Sequence, residues 1–326
     1  MDTNETAPVL VTGGSGYLAT HLVAALLREG RSVRTTVRST AREGELRAAV
    51  RRGGADDARL TLVAADLLAD DGWDAAVAGC AEVHHVASPI PLAQPDDPDE
   101  LIVPAREGTL RVLRAASAAG ARRVVLTSSF AAIGYTPKAS GEYDEDDWTD
   151  PDTPGLAPYP RSKAVAERAA WDFAHAHGGT ELVVVNPTFI LGPTLTADLR
   201  SSTHLVRQML EGGMPLAPGR RFGIVDVRDV VDLHLRVMTT PEAAGKRFLA
   251  VADGSTASFL DVATILRDRL GERAAKAPVE QDGGADLPRL TLRNDRAKAL
   301  GWKPRPVADT VVDTAESLFA LGLVRG

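Results

Sequence analysis

The chain has 326 residues, 44% of them hydrophobic and 25% charged, with 44 acidic against 37 basic side chains and a net charge of -7. That balance excludes a polyanion such as nucleic acid or an anionic membrane surface as the main partner, so any phosphate site must be local. A single cysteine, Cys80, excludes an intrachain disulfide and a cysteine-cluster metal site, and it fits a reducing cytosol. Met1 to Thr6 is polar and acidic rather than basic and then apolar, and apolar runs such as Leu22 to Leu27 fall far short of the roughly 18 to 20 residues that span a bilayer. The expectation is a cytoplasmic protein with no membrane partner.

From the start a cadence repeats: a short β-branched run, a turn, then a segment of helical period, the pattern of βαβ units and a parallel sheet. Pro8 to Thr12 reads as the first strand and Gly16 to Glu29 as a helix, with Leu18, Leu22, Ala25 and Leu26 on one face and Gly30 ending it. Strands follow at Ser32 to Val37, Thr61 to Ala65, Glu82 to Val86, Arg123 to Leu126 and Leu182 to Val185, with helices near Glu100 to Ala119 and Pro160 to His177. Continuous apolar strands suit a sheet covered on both faces. After Asn186-Pro187 the rhythm loosens. Leu191 to Pro193 reads as a turn, Leu205 to Leu210 as a helix, Val225 to Val227 as a strand leading into a helix over Asp229 to Met238 with Asp229 as its N-cap, and Phe248 to Val251 as a strand. Leu260 to Leu270 and Asp309 to Phe319 read as helices, with a loop at Gly283-Gly284. The expected fold is α/β, a Rossmann-type doubly wound parallel sheet (residues 1–187) with a smaller C-terminal substrate-binding lobe (188–326), from which 225–252 could return to the first domain.

Two motifs carry chemistry. Gly13, Gly16 and Ala19 fall in a G-x-x-G-x-x-A spacing directly after a strand and at the head of a helix. There Gly13 takes the tight turn, Gly16 admits a pyrophosphate close to the backbone, Ala19 lets helix and strand approach, and the helix N-terminus attracts the anion. A dinucleotide user that prefers NAD carries an acid at the end of the second strand, whereas here the strand reads SVRTTVRS, with Arg34 and Arg38 instead. Arg38, helped by Arg34 or Arg42, is the candidate clamp for a 2′-phosphate, which favours NADPH. Asp66-Leu67 ends the third strand where an adenine contact would fall.

Tyr159 and Lys163 form a Y-x-x-x-K, which puts both side chains on one helix face. With four tyrosines and six lysines in the chain, a chance pairing at that spacing is on the order of 0.07 per chain. Upstream, the fifth strand ends in Thr127-Ser128-Ser129. These parts fit carbonyl reduction: hydride reaches carbon, and the oxygen, becoming an alkoxide, takes a proton from Tyr159. An ordinary phenol has a pKa near 10, and the Lys163 ammonium and an oxidised nicotinamide ring are together expected to lower it. Ser129 would donate to the substrate oxygen and stabilise its developing charge. His84 and His85 read as packing at a strand end rather than as acid-base groups. The acidic runs Asp96 to Glu100 and Tyr143 to Asp147 read as solvated loops and helix starts.

At these residues the chain resembles the extended short-chain dehydrogenase/reductases, and within them the branch of dihydroflavonol 4-reductases, cinnamoyl-CoA reductases and yeast-type carbonyl reductases. The narrower resemblance rests on VRTTVR at 33–38, HHVASP at 84–89, VVLTSSFAA at 124–132, EDDW at 145–148, YPRSKAVAERAAW at 159–171, VNPTFILGP at 185–193, VDVRDV at 225–230 and LGW at 300–302. It implies NADPH as cofactor and Ser129, Tyr159 and Lys163 as the catalytic set, the second serine of the pair being the matching one. It also implies cofactor contacts at Thr12, Gly13, Gly16, Tyr17, Leu18, Arg38, Asp66, Leu67, Ala87, Ser88, Thr127, Tyr159, Lys163, Pro187 and Thr188, with no metal. A mostly apolar pocket of Pro89, Ile90, Phe130, Ala131, Ile133 and Phe189 would take a small-molecule ketone or aldehyde. Two departures are visible. Ala19 replaces the third glycine of many extended members, and Pro160-Arg161 follows the tyrosine where plant members carry an apolar residue, so plant flavonoid or lignin substrates do not carry over. The alternatives are a nucleotide-sugar epimerase or dehydratase and a non-catalytic NADP-sensing regulator. As to assembly, a monomer or a homodimer is expected.

Overall fold

The computed structural model describes residues 7–89, 97–199, 202–254, 256–283 and 289–324. Its frame is a seven-stranded sheet built from β1 (Val9–Val11), β2 (Val33–Val37), β3 (Leu60–Ala64), β4 (Glu82–His85), β5 (Arg123–Thr127), β7 (Glu181–Pro187) and β11 (Arg247–Ala250). The order across the sheet is β11-β7-β5-β4-β1-β2-β3. β1 through β5 and β7 run parallel, which requires each to return through a crossover, and helices α1 (Tyr17–Arg28), α2 (Glu43–Arg52), α3 (Trp73–Val77), α4 (Asp99–Ala118) and α5 (Pro158–His177) occupy those connections. Because β2 and β4 flank β1 on opposite sides, the chain reverses direction across the sheet there, and the carboxyl ends of these strands open the crevice in which such sheets bind ligands.

The chain divides into two compact units: the first is 1–136, 145–186 and 231–248; the second is 137–144, 187–230 and 249–326. The short excursion of the second unit at 137–144 has no local signal in the sequence. In the first unit Leu10, Val83, Val124, Leu126 and Val184 pack with Trp73, Val112, Leu113 and Ala170, so the strands' continuous apolar runs are covered as a parallel sheet requires. Trp73 is 2% exposed and donates from Nε1 to the carbonyls of Asp66 and Ala69, satisfying its one polar group.

The second unit holds β6 (Glu142–Tyr143), β8 (Phe189–Leu191), α6 (Ser202–Glu211), β9 (Arg221–Phe222), β10 (Ile224–Asp226), β12 (Ala257–Ser258), α8 (Phe259–Leu270), β13 (Thr291–Leu292), α9 (Asp295–Ala299) and α10 (Val307–Ala320). Its core joins Leu191, Met209, Leu210, Ile224, Phe259, Leu266, Val311 and Leu318. Helix α8 starts in a capping box, the Ser258 hydroxyl accepting from the Asp261 amide while the Asp261 carboxylate accepts from Ser258. Helix α7 (Val227–Thr239) corrects one expectation. Its cap is Asp226, whose carboxylate accepts from the Arg228 amide at 2.8 Å. Asp229, expected as the cap, lies inside the first turn, where its carboxylate accepts instead from the backbone N–H and guanidinium of Arg305. Among the described residues no helix is long and apolar enough to cross a membrane, and no group of three or more His, Cys, Asp or Glu could hold a metal ion.

Candidate functional site

The glycine turn between β1 and α1 is tighter than its motif letters indicate. Gly13 has φ +71, and a Cβ there would come within 3.0 Å of the Ala87 Cβ, so both conformation and space demand glycine. The most crowded position is Gly14, to which the sequence reading gave no role: its Cβ would lie 2.2 Å from Thr35 Oγ1 and 2.8 Å from Thr35 Cγ2. Strand β2 holds the turn, since Gly13 N–H donates to Thr36 Oγ1 (2.9 Å) and Gly14 N–H to the Thr36 carbonyl (2.9 Å). Gly16 precedes α1 with extended backbone and no side-chain cap, leaving the first-turn amides without a capping oxygen from it. Leu18 is buried, and Tyr17 lies edge-on to His21.

The candidate contacts along the strand ends have distinct surroundings. Thr12 is fully buried and its side chain is spent internally: Oγ1 accepts from the Val86 and Ala87 amides (3.0 and 2.9 Å), leaving the hydroxyl hydrogen for His85 Nδ1 at 2.9 Å. Arg34 is partly engaged, its Nη1 donating to the carbonyls of Ala76 (3.1 Å) and Ala78 (2.6 Å) at the end of α3. Arg42 pairs with Glu45 at 2.6 Å. Arg38 is exposed and, among the described residues, has no ion pair, so of the three arginines it is the one whose guanidinium is uncommitted. The Asp66 carboxylate accepts from the Leu68 amide at 3.0 Å, and Leu67 packs against Gly108 of α4.

At the carboxyl ends of β4 and β5 the two serines of the Ser128-Ser129 pair separate. Ser128 is buried and donates to Glu167 at 2.5 Å. Ser129 starts a 3-10 turn over Phe130–Ala132, accepts from the Ala131 amide at 3.1 Å and hydrogen-bonds the Tyr159 side chain. Tyr159 and Lys163 occupy the first turns of α5, which begins two residues earlier than its periodicity indicates, at Pro158. Lys163 Nζ lies 5.8 Å from the Tyr159 ring centroid and donates to Ser88 Oγ at 2.8 Å. Burial brings the Lys163 ammonium down to about 8, with Glu167 opposing. The Tyr159 phenol is pushed above its usual value by desolvation, against the Ser129 hydrogen bond. In the protein by itself burial therefore prevails, opposite to the lowering expected when the nicotinamide is in place. Thr127 Oγ1 meets His234 Nε2 at 3.1 Å.

Of the expected pocket residues, Pro89 and Phe130 are half-buried, while Ala131 and Ile133 are 2% and 1% exposed and form the packed underside of the turn. Ile90 lies outside the described residues. The Phe130 ring fits a notch left by Gly134, whose Cβ would stand 2.1 Å from Phe130 Cζ. In the second unit Pro187 closes β7 and Thr188 donates from its amide to the Ala250 carbonyl at 3.0 Å. Phe189 joins Phe222 and Phe259 in an aromatic cluster, with centroids 4.8 Å apart for the first pair.

The chain as a whole has known relatives. Residues 9–251 match the family model described as the NAD dependent epimerase/dehydratase family. The chain belongs to that family. Within it the chain is an NAD(P)-dependent reductase of the extended short-chain dehydrogenase/reductase type that its motifs resemble. It is 34% identical over 321 residues to a cinnamoyl-CoA reductase of Medicago truncatula, covering 95% of each chain. To a dihydroflavonol 4-reductase of Zea mays it is 33% identical over 276 residues, 82% of this chain and 76% of that one. Among solved structures it resembles the yeast methylglyoxal/isovaleraldehyde reductase Gre2 complexed with NADPH, with a TM-score of 0.83, 28% identity, and coverage of 97% of this chain and 100% of that one.

Sequence reasoning missed three buried residues beside this site: Glu167, Arg247 and Asn186. Glu167 had a signal, since it stands four residues beyond Lys163 in the same motif. Arg247 and Asn186 had none, being distant in sequence from the residues they serve.

Proposed function

We propose that the protein is an NADPH-dependent carbonyl reductase that converts a hydrophobic ketone or aldehyde to an alcohol. The observation that carries the reading is the grouping of Ser129, Tyr159 and Lys163, with the Ser129 hydroxyl beside the Tyr159 phenol while its neighbour Ser128 is committed to Glu167. The glycine turn supports a dinucleotide, because it leads from β1 straight into α1, whose first turn has no side-chain cap from Gly16 and is open to a pyrophosphate. Arg38, exposed at the end of β2 where an NAD user carries an acid, supports the 2′-phosphate form. NADPH supplies a hydride when bound.

The chain's own residues supply the rest. Ser129 donates a hydrogen bond to the carbonyl oxygen and fixes it near the phenol. Tyr159, held protonated by desolvation, is a proton donor throughout the neutral range and gives its hydroxyl proton to the oxygen as negative charge develops there. Lys163, charged below about pH 8, stabilises the phenolate that results. The relatives' names, cinnamoyl-CoA reductase and dihydroflavonol 4-reductase, and the aldehydes in the yeast neighbour's title support reduction of aromatic or aliphatic carbonyl compounds.

The test is NADPH consumption by the purified protein over a panel of ketones and aldehydes, with the alcohol quantified. One NADPH oxidised per alcohol formed is the expected result. Turnover of a nucleotide sugar without net cofactor consumption would replace this reading with an epimerase. NADPH binding without turnover of any carbonyl would replace it with a sensor.

A further inference from the structure

Helix α5 buries Pro160, Ser162, Lys163, Ala164, Ala166, Glu167 and Ala170. Two charges lie among side chains that are otherwise small and uncharged. Glu167 is 1% exposed, and four donors surround its carboxylate. Arg247 Nε (2.6 Å) and Trp171 Nε1 (3.4 Å) reach Oε1, and Ser128 Oγ (2.5 Å) and Asn186 Nδ2 (2.7 Å) reach Oε2. Arg247 is buried too; it donates to the carbonyls of Glu145 (3.0 Å) and Asp147 (2.6 Å) and lies 3.8 Å from the Trp148 ring centroid. A buried ion pair of this kind contributes little net stability over apolar packing of the same volume, so stability alone does not account for it.

What the pair touches is informative. Besides Glu167, Asn186 Nδ2 donates to the carbonyl of Ser129 at 3.1 Å. The carboxylate therefore restrains both serines, one through its hydroxyl and the other through its backbone. Glu167 also lines, with Lys163, Ser88, Thr109, Thr127 and Ser128, a cavity of about 10 Å³, space for one water molecule. Lys163 is faced by Tyr159 and Glu167 from its own helix, and by Ser88 and His85 from the end of β4. His85 is kept neutral by burial, and among the described residues lining the cavity Glu167 is the only acid.

We propose that Glu167, clamped by Arg247, is a positioning residue of the reducing site, aiming Ser129 through Ser128 and Asn186 and keeping the Lys163 ammonium charged. The proposal rests on the reductase reading. Its test includes a measurement independent of turnover: because the chain has six lysines, the Lys163 Cε resonance can be followed through its titration in protein carrying carbon-13 lysine.

The wild type is expected to titrate near pH 8. In Glu167→Gln the Lys163 midpoint should fall by about one unit, as expected for loss of a neighbouring opposite charge. The alkaline limb of the kcat profile should move with it, and kcat should drop about 10- to 100-fold while KM for NADPH stays within about twofold. Ser128→Ala should lose about 3- to 10-fold in kcat with the Lys163 midpoint unmoved. A folded Glu167→Gln protein with wild-type kcat and an unchanged midpoint overturns the proposal, as does a fully active Ser128→Ala. If Glu167→Gln does not fold, Glu167→Asp decides: reduced kcat with the midpoint kept near 8 supports it, and wild-type kcat overturns it. A wild type that consumes no NADPH with any carbonyl refutes the reductase reading, while the Lys163 titration still tests whether Glu167 sets that charge.

Discussion

At the scale of single residues, the site's chemistry depends on groups whose surroundings differ sharply over short stretches of chain. Ser128 and Ser129 are adjacent, yet one hydroxyl is consumed by Glu167 and the other meets Tyr159. Removing the phenol oxygen tests the proton-donor role directly. Tyr159→Phe should lower kcat about 10²- to 10⁴-fold, the range for loss of a general acid, with NADPH affinity measured by fluorescence titration nearly unchanged. A variant that retains wild-type kcat removes Tyr159 from the mechanism. Arg38 is tested by charge reversal. Arg38→Asp should cost about 10- to 100-fold in kcat/KM for NADPH, as loss of a charge-assisted contact predicts, and should improve the value for NADH by supplying the acid a ribose hydroxyl wants. If the ratio of the two specificities does not change, the 2′-phosphate clamp lies elsewhere.

At the scale of elements, the central strands β1 and β5 were legible because burial on both sides writes them as apolar runs, Val9–Val11 and Val124 to Leu126, while β2 (VRTTV) and β3 (LTLVA) were legible from β-branched residues in the same cadence. Helix α2 was not, because only Leu46, Ala49 and Val50 of its ten residues are buried and charge dominates the rest. The pairing of β6 with β13, two residues each, joins segments about 150 positions apart and leaves no local signal. Within the site, spacing and strand-end position identified Tyr159, Lys163 and the serine pair. Sequence does not distinguish a threonine or arginine at a strand end that faces a ligand from one whose side chain bonds neighbouring backbone, as Thr12 and Arg34 do. The glycine turn shows the same limit, for motif spacing selects Gly13 and Gly16 while the closest approach is at Gly14, set by a β2 side chain no pattern could pair with it. Gly14→Ala should therefore cost about 1 to 3 kcal/mol, the usual penalty of overpacking, read as a lower urea midpoint, and should weaken NADPH binding as the turn is pushed from β2. A midpoint equal to that of the wild type would mean that Thr35 yields without cost.

At the scale of the whole molecule, the segment 231–248 belongs to the first unit, and two buried devices hold it there. Arg123, 1% exposed, donates from Nη1 to the carbonyls of Val237 (2.6 Å), Met238 (3.0 Å) and Thr240 (2.7 Å), placing a cation at the negative end of α7. His234 meets His84 of β4, Nδ1 to Nδ1, at 3.3 Å, so at least one of these imidazoles must be neutral to accept. Burial brings His84 and His85 down to about 3, with Arg31 and Lys163 respectively adding to the effect, and it holds His234 well below its ordinary value. In the unfolded chain each titrates near 6.5. Between about pH 6.5 and 3 the unfolded state therefore binds more protons than the native state, and stability must fall as the pH is lowered through that window. Each histidine contributes a slope of about 1.4 kcal/mol per pH unit once the pH is well below 6.5. Asp229, whose carboxyl burial raises, acts in the opposite sense at lower pH. Urea unfolding at pH 7.5, 6.0 and 5.0 isolates the histidines, since ordinary carboxylates protonate below that range. The unfolding free energy should drop by about 2 kcal/mol from pH 7.5 to 6.0 and by several kcal/mol by pH 5.0, more steeply than a single proton can produce. A free energy that is flat down to pH 5.0 would mean that these imidazoles are charged in the folded protein, and the neutral His84–His234 contact joining β4 to α7 would have to be abandoned.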